Sequence, residues 1–168
     1  GRPMDRVRRA ERDAIARELI EARGGTVIDM GCGCGDLLAS LAPRAGVGLD
    51  LSPRAVSMAR RRHPGHTFEV RDIRRPDLPA GQADAVVAMH VIEHLDAPPA
   101  ALQAWRALLR PAGRLALVTP NAEFSHPEVF DDPDHKRIFR GPELSGLVRE
   151  NGARTAYAYD DLDRLVGE

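Results

Sequence analysis

The sequence predicts an α/β fold: a doubly wound, mostly parallel sheet flanked by helices. Short apolar runs alternate strictly with helix-like stretches through most of the 168 residues. One run, from Ala83 to Met89, is apolar almost throughout, as a strand covered on both faces must be. A third observation is the stretch Val27-Ile28-Asp29-Met30-Gly31-Cys32-Gly33-Cys34-Gly35-Asp36, where an apolar strand ends in an acid and three alternating glycines. Such a turn has almost no side chains near its backbone, so a ligand can approach the main chain closely.

Taken in order, Met4 to Arg23 reads as an amphipathic helix with Val7, Ile15, Leu19 and Ile20 as a rough apolar stripe, stopped by Gly24-Gly25. Thr26 to Met30 is the first strand, and the following helix starts at Asp36. Gly46 to Asp50 forms the second strand. Ser52 is the expected N-cap, and Pro53 the first residue, of a helix reaching Arg62. Thr67 to Val70 and Ala83 to Met89 are the third and fourth strands, and a helix spans roughly Pro98 to Leu109. Arg110-Pro111-Ala112-Gly113 is expected to turn before a fifth strand, Arg114 to Thr119, closed by Pro120-Asn121. Ala122 to Arg140 is a polar connection, long enough to expect a functional loop. A helix from Gly141 to about Gly152, a sixth strand over Arg154 to Tyr159 and a charged, helix-like tail to Glu168 complete the chain. One domain over 1–168 is expected, with an N-terminal helix (4–23), a core (24–121) and an acceptor-side part (122–168).

A net charge of −1 provides no field for nucleic acid or an anionic membrane surface. No apolar run approaches membrane-spanning length, so a cytoplasmic protein is expected. The two cysteines, Cys32 and Cys34, read as small residues filling a tight turn. Arg60, Arg61, Arg62, Arg71, Arg74 and Arg75 could form a basic patch, which Glu69, Asp72 and Asp77 dilute.

The glycine turn and the helix N-terminus behind it predict a nucleotide-type ligand. A dinucleotide pattern needs a third glycine where Asp36 stands, and a carboxylate there repels a pyrophosphate. A ligand with a cationic amine suits Asp29 and its neighbours better. Asp50 falls about twenty residues past the start of the glycine loop, where such folds place the acid that accepts ribose hydroxyls.

The D-x-G-x-G-x-G stretch resembles motif I of the class I S-adenosylmethionine (SAM)-dependent methyltransferases. The segments H-V-I-E-H-L, L-L-R-P-A-G-R-L and V-T-P-N extend the likeness, over residues 24 to 152, to relatives of the ubiquinone-biosynthesis enzymes (methyltransferase type 11). The resemblance implies a Rossmann-like fold and a methyltransferase that leaves S-adenosylhomocysteine as product. It places the cofactor among Asp29, Gly31, Cys32, Gly33, Gly35, Asp50, Leu51, Asp72, Ile73 and His90. In that arrangement Asp72 accepts from the adenine amino group, Ile73 lies against the ring, and His90 faces the methionine part. Members of the family usually end with one more strand, hairpinned antiparallel against its neighbour. That strand is expected to be missing here, through absence or a shortened end.

His90-Val91-Ile92-Glu93-His94 also matches H-x-x-E-H, a zinc-peptidase pattern that requires an α-helix, whereas here it follows directly on a strand. For methyl transfer to a hydroxyl, His90, His94 or His135 could take the proton. No metal is expected. An alternative set, His90, Glu93, His94 and His135, follows from a likeness to small-RNA terminal 2′-O-methyltransferases, whose T-P-N-A-E-F and Asp-His segments this chain shares. The expected reaction is methylation of O, N or C of a small molecule. A metal-assisted RNA 2′-O-methyltransferase, a non-catalytic SAM-binding module and a nicotinamide-dependent enzyme are the alternatives. Neither acceptor nor oligomeric state is legible.

Overall fold

The structure is a computed structural model that describes residues 24–123 and 132–150, together with the backbone of two short strands near the C-terminus. The expected helix over 4–23, the loop around His126 and Asp131, and the stop at Gly152 lie outside the described residues.

Seven strands form one sheet in the order β3-β2-β1-β4-β5-β6-β7. They are β1 (Thr26–Met30), β2 (Ala45–Asp50), β3 (Thr67–Val70), β4 (Ala83–Met89), β5 (Leu109–Pro120), β6 (Tyr157–Tyr159) and β7 (Leu165–Val166). Every pairing is parallel except that of β6 with β7. The helices are α1 (Asp36–Leu41), α2 (Pro53–Arg62), α3 (Pro98–Ala107) and α4 (Gly141–Glu150). This is the expected doubly wound sheet, with the first four strands in their expected places.

Alternation along β4 shows why its sequence is apolar throughout. Val86 and Ala88 join the core layer containing Trp105, Leu102, Phe139 and Leu144, whereas Ala85 and Val87 join the layer containing Leu37, Leu38, Val56 and Phe68. Each face of the strand lies under a different helical layer. Trp105 is fully buried, and its indole N–H donates to the carbonyl of Ile73 at 2.6 Å, tying α3 to the loop after β3. Ser52 caps α2 as expected, its hydroxyl accepting from Ala55 N at 3.2 Å with Pro53 in the first turn.

Two expectations are corrected. The antiparallel closing strand is present: Leu165 and Val166 pair with Tyr159 and Ala158. Two apolar residues among charged ones carry no period, so this segment reads as a tail in sequence. The turn at Arg110–Gly113 also lies inside β5, because Ala83 pairs with Leu109 and Ala85 with Arg114, so the intervening residues loop out as a bulge. Ala112 takes φ 66° there. Among the described residues no helix is long and apolar enough to cross a membrane.

Candidate active site

The carboxyl ends of β1, β2, β4 and β5 converge on one edge of the sheet, the edge at which open parallel sheets bind ligands. Gly31, Gly33 and Gly35 all have positive φ (80°, 51° and 84°). At Gly31 the reason is steric as well, since a Cβ would sit 2.5 Å from Val91 Cγ2. A Cβ on Gly33 would meet nothing within 4 Å, so this glycine faces open space. The loop is anchored by Gly31 N and Cys32 N, which both donate to the Leu49 carbonyl at 2.8 and 3.0 Å.

Asp50 is fixed by the same loop. Its Oδ2 accepts from Gly33 N at 2.9 Å and its Oδ1 from Ser52 N at 2.8 Å. A carboxylate has roughly four acceptor positions, so two remain for a diol. Leu51 beside it is 56% exposed, an apolar side chain standing in solvent at the rim. Asp29 is buried beneath the loop with Oδ2 lacking any hydrogen-bond partner. Burial, and secondarily the Asp50 charge, push its carboxyl up to about 7. A buried acid with an unbonded oxygen beside a second acid stays protonated more readily than a free one, and a nearby cationic group would favour its charged form. Asp36 does not face this space: it pairs sideways with Arg62 at 3.1 Å and His63 at 3.4 Å on α2. Cys32 is buried, its thiol pushed up by desolvation, and Cys34 contacts Met58 Sδ at 3.3 Å; both fill the turn.

Asp72 lies past β3 with both oxygens held by Arg74. Ile73 packs into the core layer with Trp105. The expected basic patch is not a free surface. Arg60 donates to the Phe68 carbonyl, Arg61 to Ser57, and Arg71 to Glu69, Pro76 O and Asp77 O, while Arg62 and Arg74 are ion-paired.

The second half of the cleft grows from the end of β4. His90 adopts φ 56°, its N–H donating to Val118 O at 2.8 Å, and its Nδ1 lies 3.5 Å from Glu93 Oε1. A non-glycine residue in the left-handed region is strained, and strain of this kind clusters at functional sites. Residues Ile92–His94 form a single 3-10 turn, not an α-helix, so the peptidase geometry is absent. Glu93, named above as part of the alternative metal set, is fully buried. The turn folds its side chain beneath β5, where Oε2 accepts from Thr119 Oγ1 at 2.9 Å and Oε1 has no hydrogen bond. The Glu93 carbonyl accepts from Lys136 N and Arg137 N at 2.7 and 3.1 Å, docking segment 132–140 on the cleft. His94 Nδ1 donates to Asp134 O at 3.0 Å, and the His94 and His135 rings lie 4.8 Å apart. Ligand atoms of Glu93, His94 and His135 lie within 4.8 Å of one another, a spacing able to hold a metal ion; His90 is not in this group. Thr119, Asn121 and the Asp134 carbonyl escaped sequence reasoning. Their residue types announce nothing, and the T-P-N stretch carried only a family likeness.

A glycine loop of this form on a doubly wound parallel sheet defines the class I SAM-dependent methyltransferase type. A family model described as methyltransferase domain matches residues 4–158, and the chain belongs to that family. It is 39% identical over 110 residues to a ubiquinone biosynthesis O-methyltransferase of Xanthomonas axonopodis pv. citri, covering 61% of this chain and 46% of the relative. The corresponding enzyme of Paraburkholderia xenovorans is 31% identical over 153 residues, covering 79% of this chain and 66% of that one. The chain therefore spans between about half and two thirds of the length of these relatives. Among solved structures, SAM-bound CalS10, an amino pentose methyltransferase from Micromonospora echinaspora, aligns with TM-score 0.59 and 32% identity over 70% of this chain and 51% of that one. SAM is the cofactor of this family, and an orphaned acid, a preset diol acceptor and an open glycine loop fit its ammonium, ribose and backbone-close approach.

Proposed function

We propose that this chain transfers the methyl group of SAM to a hydroxyl of a small molecule. In this reading the cofactor lies along the β1–β2 loops and the acceptor between the 3-10 turn and segment 132–140. The single observation that carries the reading is the hydrogen bond of His94. Its Nδ1 lies 3.0 Å from the Asp134 carbonyl, which can only accept, so in the neutral ring Nε2 is left as an acceptor for the acceptor half of the cleft.

SAM supplies a sulfonium methyl group open to in-line displacement. Asp29 meets the ammonium, Asp50 takes the ribose hydroxyls on its two remaining positions, and Gly33 leaves the main chain bare for close approach. Leu51 covers the purine. His94 Nε2 would receive the hydroxyl proton as the O–CH3 bond forms and the S–CH3 bond breaks to release S-adenosylhomocysteine, with the His135 ring 4.8 Å away and tilted by 52°. Holding two reactants in line supplies much of the barrier reduction, up to about 7–11 kcal/mol in favourable cases. The names of the curated relatives favour oxygen over nitrogen or carbon as the acceptor atom.

A second reading rests on the clustering of Glu93, His94 and His135, with Glu93 Oε1 making no hydrogen bond. There a divalent cation would sit on these three groups and bind the acceptor hydroxyl as a Lewis acid. One assay separates the two: methylation of a panel of phenolic and sugar hydroxyls, with and without a chelator. Turnover that survives chelation and falls at least about a hundredfold in His94→Ala supports the base. Turnover that a chelator abolishes and added cation restores moves the role to the metal. Binding of S-adenosylhomocysteine with no turnover on any acceptor would leave a binding module.

A further inference from the structure

Asp72 is held on both oxygens by a single residue, Arg74. Its Oδ1 accepts from the main-chain N–H of Arg74 at 3.0 Å and from Nε of the same residue at 2.8 Å, while Oδ2 accepts from its terminal guanidinium nitrogen at 2.7 Å. With roughly two lone-pair positions per oxygen, Oδ1 is saturated and a single position is left on Oδ2. The Arg74 guanidinium holds the Asp72 carboxyl below the usual carboxylate range, so the group accepts and does not donate. Arg74 is 56% exposed, so core packing does not require it. A cleft of about 420 Å³ opens at this pair, with Leu95 and Ala101 along it and Asp96 on its rim.

Resting on the reading that SAM binds with its purine at Asp72, we propose that Arg74 is a specificity-determining residue. By clamping Asp72 in a fork, it leaves one acceptor position of fixed direction on Oδ2. That position matches an exocyclic amino group and opposes a carbonyl. Without the fork, Asp72 turns freely and can meet a 6-oxo purine through a bridging water, so discrimination falls more than affinity does.

The test is calorimetric binding of S-adenosylhomocysteine and S-inosylhomocysteine, which differ in amino against oxo at the purine 6-position and in the hydrogen that the oxo compound carries on N1, a donor that only an unclamped Asp72 can turn to meet. The wild type should prefer the amino compound by roughly tenfold or more, the worth of one hydrogen bond to a charged group. In Arg74→Ala the preference should shrink to about two- or threefold while the adenosyl compound weakens only a few-fold. Arg74→Lys keeps the charge but lacks the fork, and should behave like Arg74→Ala. Asp72→Asn, whose amide can donate, should favour the oxo compound. The thermal midpoint of the Arg74 variants should stay near the wild type, as expected for an exposed pair. An unchanged preference in Arg74→Ala, with both compounds still bound, overturns the role of Arg74 and leaves the cofactor site standing. A wild type that binds neither compound overturns both.

Discussion

At the β1–β2 end of the cleft, the polar contacts join main chain to main chain or to the Asp50 side chain across neighbouring strand ends. Asp50 takes Gly33 N and Ser52 N, and Leu49 O takes Gly31 N and Cys32 N. At the β4–β5 end, the contacts join segments remote in sequence: His94 reaches Asp134 forty residues downstream, and Glu93 is sealed under Thr119. In the proposed reading the first arrangement holds the cofactor largely with backbone, and the second presents side chains on a docked segment to the acceptor. The two recognitions should then be separable in stability as well as in chemistry.

The sharpest way to break this division is to fill the glycine loop. Gly31→Ala places a Cβ 2.5 Å from Val91 Cγ2 at φ 80°, which should cost roughly 2–4 kcal/mol by overpacking and left-handed strain. Gly33→Ala, with open space around it, should cost only about 1 kcal/mol of strain while still impeding the cofactor. Chemical denaturation and calorimetry on the pair decide it; equal losses of stability would mean the loop is not braced by Val91.

Asp29 offers the next largest effect. Its carboxyl titrates near 7 in the folded chain and near 4 when unfolded. The native state therefore binds the extra proton between those values, and stability falls as pH rises through that window. Asp29→Asn should thus be more stable than the wild type at pH 8, by something on the order of 2–4 kcal/mol, and no more stable near pH 4. Binding of S-adenosylhomocysteine should weaken in the same variant, because the neutral amide does not pair with an ammonium. A variant less stable at pH 8 would show that Asp29 is charged and satisfied in the free protein.

Asp50→Ala should weaken S-adenosylhomocysteine by at least about tenfold, with no binding of NAD to either form. Retained affinity would move the ribose elsewhere. The smallest effect sharpens the comparison from outside the cleft. Arg62→Ala removes a half-exposed partner of Asp36 and should change stability by no more than about 0.5 kcal/mol, leaving cofactor binding untouched.

The same contrast explains what could be read from sequence. β1, β2, β3, α2 and the Asp50 position rest on local rules: period, caps, glycines and a short fixed spacing. The expected strands Thr67–Val70 and Ala83–Met89 are observed as such. The bulge in β5 depends on pairing with β4, and β7 exists only because β6 lies beside it. The burial of Glu93 depends on β5, whose Thr119 covers it, and no local pattern announces it. The fork between Asp72 and Arg74, though local, carries no pattern that separates it from a solvated pair.

Segment 132–140 is fastened by its main chain and by one buried side chain: Lys136 N and Arg137 N donate to the Glu93 carbonyl, the Phe139 carbonyl accepts from Ala122 N, and the Phe139 ring sits in the core. Main-chain hydrogen bonds do not depend on which side chains the segment displays, so its exposed residues can be exchanged without unfastening it. Within the fold, 132–140 behaves like an interchangeable faceplate on a fixed socket. On the proposed reading, acceptor preference could then be redesigned by saturation of the exposed positions Asp134, Lys136 and Arg140 at little expense in folding.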